Sequence, residues 1–386
     1  MQNSKILSTN IKKYRFLLGI TQDELAQKLF VTPQAVSKWE TGLALPDVEN
    51  LIKLADVFSV SADTLLGRDT QSMTGPALIG VDGGGTKTEF VLFLPDGKIL
   101  SRIVLGGSNP NVVGVEETCR VIAQGLDSVI SHTPSAEFVF MGIAGTKSGS
   151  NLKAMTLFMK KKYPFLRFSI DSDILNIIWS SGDPSDCIAA ICGTGSVVYA
   201  SVGENLYRAG GWGYLFDGAG SGFDIGRDAL CSCLAKDDGI GTASRLTELV
   251  EQNIGGKVFD HIDLFYSKGK DYIASFAPMV FSAYEEGDKV AEKIIRRSAD
   301  RVALLISGMH DRFSHISRVV LSGGLISNNK IMKEFIVEKL KKELTLVFPS
   351  LPPVFGACAK CLNMYNRDAD IKVFEREFSK SYEEKV

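Results

Sequence analysis

The spacing of apolar positions first changes along the chain near residue 77. Before it, apolar residues recur every three to four positions in short stretches punctuated by Gly19, Thr32, Gly42, Pro46 and the serines at 59 and 61, the pattern of an all-α segment. Thr21 with Glu24 forms a capping box that opens a helix running through Leu29. Thr32 and Pro33 supply the N-cap and first-turn proline of the next helix. Only Phe30 and Val31 lie between them, so residues 1–67 contain a helix-turn-helix. Its inward set is Leu25, Ala26, Leu29, Val31, Val36 and Trp39, which leaves Gln34, Ala35, Ser37 and Lys38 facing outward.

Residues 68–76, RDTQSMTGP, are polar, lack periodicity and read as a linker. From Ala77 the pattern switches to strands. IGVDGGGTKT is an apolar strand breaking into glycines, and TEFVLFLPDGKILSRIVL alternates and turns at Pro95, Asp96 and Gly97. A helix from Val115 to about Ser131, a strand EFVFMGIAG, a helix over 151–161, a strand RFSID and a helix from Ile174 predict a mixed sheet with helices packed on it. The opening then repeats in outline. CIAAICGTGSVVYASVGENLYRAGG is again an apolar strand, a glycine turn and an alternating strand. Helices dominate 222–309, a strand at 318–321 ends in Ser322, Gly323 and Gly324, and a helix covers about 354–366. The expected organisation is an all-α domain followed by an α/β domain over 77–366 in two similar halves, about 77–180 and 187–366, with a charged tail over 367–386.

The first glycine turn carries the chemistry. Three glycines let successive backbone N–H groups converge on an anion, with Lys87 and the hydroxyls of Thr86 and Thr88 in reach of its oxygens. Asp82, at the strand's end, is placed to hold a Mg²⁺ through water. The spacing is neither Gly-x4-Gly-Lys-Ser/Thr nor Gly-x-Gly-x-x-Gly, and a strand follows it, so no helix dipole assists.

Composition narrows the class. The 386 residues carry a net charge of −2, which excludes a broadly basic, nucleic-acid-coating surface and leaves room for a local DNA reader. Seven cysteines, an odd number, with no apolar leader and no run long enough to span a membrane, point to reduced thiols in the cytoplasm. Cys358 and Cys361 have the spacing of a redox or metal pair, but they fall inside a predicted helix without a partner pair. His132, His261, His310 and His315 form no ligand-spaced set and read as surface or loop positions.

Over residues 7–67, TQDELAQKLFVTPQAVSKWETG and LPDVENLIKLADVFSVSADTLLG resemble a phage-repressor (Cro/cI) type helix-turn-helix domain. The resemblance implies operator DNA as partner, with Gln22 on phosphate, Gln34 on a base edge, and Thr32, Ser37 and Lys38 adding contacts. Residues 1–68 hold eight basic and seven acidic side chains, so one copy binds weakly and a homodimer on two half-sites is the expected working form.

IGVDGGGTKT, GIAG, ICGTGS, GGWGYLF, GSG and LSGG, in that order over about 77–364, are similar to the BadF/BadG/BcrA/BcrD ATPase family, in its N-acetylglucosamine kinase-like branch. That resemblance implies an actin-like ATPase fold shared with sugar kinases, with ATP and Mg²⁺ as cofactors. It places Asp82 on the metal and Gly84, Gly85, Thr86 and Lys87 on phosphate. Gly193, Thr194, Gly195 and Ser196 form the second phosphate loop, and Gly323 and Gly324 lie on adenosine. Asp173 falls where the kinases place the base that takes the sugar hydroxyl's proton, with Asp171 its competitor. Asn109, Gly211, Trp212, Gly213 and Asp217 fall on the sugar side. There the family has Gly-Asp-Glu-Gly-Ser and this chain has Asp217, Gly218, Ala219, Gly220 and Ser221, so the acid is displaced and the glutamate absent. The expectation is a DNA-binding regulator that binds ATP and an amino sugar; an active sugar kinase with an appended DNA reader is the alternative.

Overall fold

The computed structural model describes residues 2–58, 60–67, 76–130, 136–218 and 220–385. Residues 68–75 of the expected linker, His132 and Ala219 lie outside the described residues. The amino-terminal helices are α1 (Gln2–Leu17), α2 (Gln22–Leu29), α3 (Pro33–Thr41), α4 (Val48–Phe58) and α5 (Ala62–Leu66). Then come β1 (Ala77–Gly83), β2 (Lys87–Phe93), β3 (Ile99–Gly106), α6 (Pro110–Val113), α7 (Val115–Ile130), β4 (Ala136–Ile143), α8 (Asn151–Lys162) and β5 (Arg167–Asp171). They are followed by α9 (Ile174–Ser180), β6 (Cys187–Cys192), β7 (Ser196–Val202), β8 (Asn205–Gly210), α10 (Gly222–Asp237), α11 (Arg245–Ile254), α12 (Ile262–Ala274) and α13 (Ala277–Glu285). The last are α14 (Lys289–Arg312), β9 (Arg318–Ser322), α15 (Gly324–Ser327), α16 (Lys330–Lys339), β10 (Thr345–Val347), α17 (Pro353–Tyr365) and α18 (Ile371–Glu383). The chain divides into two compact units, residues 1–173 with 357–386, and residues 174–356. No helix among the described residues is long and apolar enough to cross a membrane.

In the first unit, α2 and α3 make the helix-turn-helix. Thr21 and Glu24 close the capping box, and Thr32 caps α3 ahead of Pro33. Leu25, Ala26, Leu29, Val36 and Trp39 are buried, with Val31 packed against them. Ala35, expected outward, also packs against this core, because it sits four residues before Trp39 on the same helical face. Phe30 ends α2 in the left-handed conformation at φ 59°, and its ring is 92% exposed.

The first sheet has the order β3-β2-β1-β4-β5, with β1, β2 and β3 antiparallel and β4 and β5 parallel to β1. Ile79, Val81, Phe90, Leu92, Val139 and Met141 bury one face under α7 and α8. The opposite face is bared at Gly80, where a Cβ would meet the Cys358 thiol at 2.4 Å, so α17 lies directly on the strand there. The Cys358 and Cys361 thiols are fully buried, and burial pushes Cys361 up to about 12 and Cys358 well above the ordinary thiol range. The carboxyl-terminal helix α18 covers the hairpin on that side. Its Phe374 lies 5.4 Å from Phe93 and 5.6 Å from Phe378, and both α18 phenylalanines are buried.

The second unit repeats the plan. Its sheet is β10-β9-β6-β7-β8, in which β6 pairs antiparallel with β7 and parallel with β9, as β1 does with β2 and β4. Residues 196–210, read as one alternating strand, are two strands that fold back between Val202 and Asn205. Gly203 at φ 56° makes that two-residue turn possible. Ile188, Ala190, Val198 and Ala200 pack under α10, α13 and α14. His310 is buried, contrary to its reading as a surface position. It extends the inward face of α14 one turn past Ile306, and its Nδ1 lies 2.9 Å from the Ile316 carbonyl.

Candidate functional site

Each unit carries a glycine turn between the first two strands of its sheet, and the turns are built alike. In the first, the Gly84 N–H donates to the Lys87 carbonyl at 2.9 Å and closes the bend. The N–H groups of Gly85 and Thr86 have no partner among the described residues, and a Cβ added at Gly85 would meet nothing within 4 Å. In the second, the Gly193 N–H donates to the Gly195 carbonyl at 2.8 Å, and the N–H groups of Thr194 and Gly195 are left open in the same way. Two consecutive exposed donors in an open, glycine-rich turn are what an anionic oxygen requires.

Both turns are anchored from behind through their carbonyls. Gly84 O accepts the N–H groups of Ser108 (3.0 Å) and Asn109 (3.1 Å), while a Cβ at Gly107 would come 2.0 Å from Gly85 O. Gly193 O and Thr194 O accept from Gly222 (2.8 Å) and Phe223 (3.2 Å), at the start of α10. Thr88, expected to offer its hydroxyl to the anion, is fully buried and lies 2.8 Å from the Ser108 hydroxyl, because strand alternation turns it to the inner side. Lys87 and Thr86 are exposed at the rim.

Cations reach these turns in two places. The Lys87 ammonium is 3.5 Å from Glu89, whose side chain is 2% exposed. Lys270 lies 3.4 Å from where a Gly195 Cβ would stand, and no carboxylate pairs with it among the described residues. It follows Gly269, whose φ of 67° and ψ of −155° kink α12. Sequence reasoning missed Lys270; the Lys-Gly-Lys run at 268–270, a glycine inside a helical stretch flanked by cations, was the available signal.

Asp82 is the penultimate residue of β1, half-buried, opposite Glu89 on β2 and Gly142 on β4. A carboxylate beside open donors and a lysine suits a Mg²⁺ bound through water with phosphate. Asp171 ends β5, and its carboxylate is taken by the Lys147 ammonium at 2.8 Å and by the Ser172 N–H at 2.7 Å. Asp173, two residues on and half-buried, accepts from the Ser172 hydroxyl at 3.2 Å. Asn109 caps α6, and its amide oxygen crowds Gly145, where a Cβ would sit 2.3 Å away. Asn111, Ser148 and Asn151 extend this into a polar patch, with Asn111 within 3.0 Å of both other side chains and Asn151 also donating to Gly145 O. The patch was not read from sequence, since single asparagines in loops carry no periodic signal.

In the second unit, Gly211 at φ 72° lies against Val197, where a Cβ would meet its side chain at 2.7 Å; Gly213 at φ 101° is open. Trp212 is exposed with the Arg208 guanidinium 3.8 Å over its ring. Asp217 accepts the Gly213 N–H at 2.9 Å, so its carboxylate closes its own loop. Gly323 at φ 102° sits where a Cβ would come 2.3 Å from the Cys192 carbonyl, whereas Gly324 is exposed and open. The second of the pair, not the first, is open to close approach.

On the helix-turn-helix, Gln34 and Lys38 are exposed along α3 and Ser37 is half-buried. Thr32 uses its hydroxyl to cap Ala35 N. Gln22 donates its amide to Glu40 at 2.7 Å. Glu40 is itself buried against Arg15, with guanidinium contacts of 2.5 and 2.9 Å. No group of three or more His, Cys, Asp or Glu side chains is arranged to hold a metal ion among the described residues.

Comparison with known proteins agrees with this geometry. Residues 11–65 match a helix-turn-helix family model. The chain is 29% identical over 288 residues to the N-acetylmuramic acid/N-acetylglucosamine kinase of Clostridium acetobutylicum, covering 71% of this chain and 92% of the kinase. Its amino-terminal part is 38% identical over 66 residues to the helix-turn-helix transcriptional regulator ImmR of Bacillus subtilis, covering 17% of this chain and 52% of that protein. A crystal structure assigned to an N-acetylglucosamine kinase of Chromobacterium violaceum superposes with a TM-score of 0.61 at 24% identity, over 74% of this chain and 99% of that one, and shares the fold. Two like-ordered sheets with matched glycine turns are thus a sugar kinase-like ATPase domain behind a helix-turn-helix. With residues 79–359 matched to its model, the chain belongs to the BadF/BadG/BcrA/BcrD ATPase family.

Proposed function

We propose that the chain is a transcription regulator whose ATPase domain binds Mg²⁺-ATP and an amino sugar such as N-acetylglucosamine, the bound state altering how a dimer engages operator DNA. The observation that carries this reading is the matched pair of open turns, Gly85 with Thr86 and Thr194 with Gly195, in a chain that begins with a helix-turn-helix. Asp82 would hold Mg²⁺ through water, Lys87 and Ser196 would flank phosphate, and Gly324 would lie on adenosine. Asn109, Trp212 and the backbone of Gly211 and Gly213 would line the sugar. Gln34, Ser37 and Lys38 would face the major groove. The near balance of charge in residues 1–68 favours a dimer, since one copy gains little from phosphate attraction. The displaced acid at Asp217, part of whose carboxylate closes its own loop, and the absence of the family's glutamate favour sensing over efficient turnover.

The second reading, an active sugar kinase, draws on Lys147. Its ion pair occupies Asp171 and so favours Asp173 over it as the carboxylate that would take a hydroxyl proton. A thermal-shift screen of amino sugars with and without Mg²⁺-ATP tests the proposal. Mg²⁺-ATP should raise the melting temperature, one sugar should raise it further, and Asp82→Ala should remove the nucleotide effect. An absence of any shift with adenine nucleotides would overturn the reading.

A further inference from the structure

The carboxyl-terminal helix ends against a buried carboxylate on β2, two residues past the first glycine turn. Glu89 Oε1 accepts from Arg102 Nε on β3 at 2.7 Å and from the Tyr382 hydroxyl on α18 at 2.7 Å. Its other oxygen lies 3.5 Å from the Lys87 ammonium. Arg102 also donates to the Tyr382 hydroxyl at 3.2 Å and lies 4.9 Å from the ring centre. The helix is fastened to the same hairpin by Ser381, whose hydroxyl accepts the Ile99 N–H at 2.9 Å, and by Phe374 on Phe93.

This arrangement is costly unless it does something. Glu89 stands directly opposite Asp82 in the β1–β2 register, and like charges at opposed positions of an antiparallel pair repel. A buried carboxylate needs its charge matched and its lone pairs filled. Arg102 and Tyr382 fill one oxygen and supply one positive charge. The second oxygen is left for a long contact with Lys87, which keeps most of its three donors for an outside anion. Burial, reinforced by the bond to Glu89, pushes the Tyr382 phenol up to about 12, so it remains a donor at neutral pH.

We propose that α18 is a working part of the phosphate turn: Tyr382 and Arg102 hold Glu89 so that it aims Lys87 at the terminal phosphate of the nucleotide, making all three positioning residues. The inference rests on the reading that the 84–87 turn binds nucleotide phosphate. Without the Tyr382 hydroxyl, Glu89 Oε1 is underfilled and the carboxylate draws Lys87 inward, away from the anion.

The test is calorimetric binding of Mg²⁺-ATP and of adenosine to the full chain. Tyr382→Phe, which keeps the ring, should weaken Mg²⁺-ATP about 5- to 10-fold and leave adenosine unchanged. Ser381→Ala, which loosens the same helix without touching Glu89, should lower the melting temperature while keeping the ATP-to-adenosine ratio. In the Lys87→Ala background Tyr382→Phe should add no further loss, since coupled neighbours are non-additive. A ratio unchanged by Tyr382→Phe, equal weakening of both ligands, or full additivity with Lys87→Ala would overturn the inference while leaving the nucleotide reading intact. A parent chain that binds adenosine and ATP equally, or neither, would overturn both.

Discussion

The Lys147 ammonium lies 2.8 Å from a carboxylate oxygen of Asp171, at the end of β5. That ion pair separates the two acids of the Asp-Ser-Asp run, which sequence spacing alone left as rivals. If the chain phosphorylates a sugar, Asp173→Asn should cut turnover by about 100-fold or more, the range of a lost general base, and Asp171→Asn by much less. A coupled assay of ADP release with N-acetylglucosamine measures both. Equal losses would return Asp171 to contention.

The glycines of the candidate site divide into those open to a ligand and those pressed against the chain, and substitution should separate them. Gly85→Ala meets no atom within 4 Å and should keep the melting temperature while reducing stabilisation by Mg²⁺-ATP. Gly323→Ala must adopt φ 102° with its Cβ 2.3 Å from the Cys192 carbonyl. It should cost about 2 kcal/mol or more in a denaturant melt. Similar melting temperatures for the two variants would contradict this division.

Glu40 is buried and receives both Arg15 and Gln22, so removing it strands a guanidinium in the core of the helix-turn-helix. Glu40→Ala should destabilise that domain by roughly 3–5 kcal/mol, read from hydrogen exchange in α2 and α3. Protection equal to that of the parent would show that the pair contributes little.

Gln34 and Lys38 differ in what they offer DNA, an amide that can pair with a base edge and a point charge. Gln34→Ala should relax operator preference at one position, whereas Lys38→Ala should weaken all sequences alike and reduce the salt dependence of binding. Binding-site selection followed by titration at two salt concentrations checks this, and identical behaviour of the two variants would remove Gln34 as a base reader.

Cys358 and Cys361 are held against β1 and β4, with their thiols raised by burial. Both should resist a thiol reagent at pH 8 in the folded chain and react only on unfolding, and a chelator should leave the melting temperature unchanged. Cys231, exposed on α10, should react first. Early modification of either buried thiol would point to local opening of α17.

Much of this was legible in residue order. The caps at Thr21 and Thr32, the hairpin after Asp82 and the echo of it at Cys187 are local signals, and the repeated sheet order follows from them. What was not legible depends on side chains meeting across the chain. Thr88 looked like a phosphate ligand until strand alternation placed it on Ser108. His310 looked exposed until α14 proved long enough to carry it inward. Lys147 and Glu40 carry no motif and acquire meaning only through their partners, and Lys270 only through its place beside the second turn. The two strands β7 and β8 were missed as a pair even though Gly203 marks their turn, because alternation continues on both sides of it.

The carbonyl of Gly84 accepts from Ser108 and Asn109, which makes the first glycine turn and the start of α6 one mechanical piece. If that turn binds nucleotide phosphate as proposed, changes at Gly107 and Ser108 should register first as a nucleotide defect. If the proposed sugar site is right, selections for altered sugar preference should draw their survivors from Asn111, Ser148 and Asn151, where the polar patch can be rewritten while the Gly84 anchor stays in place.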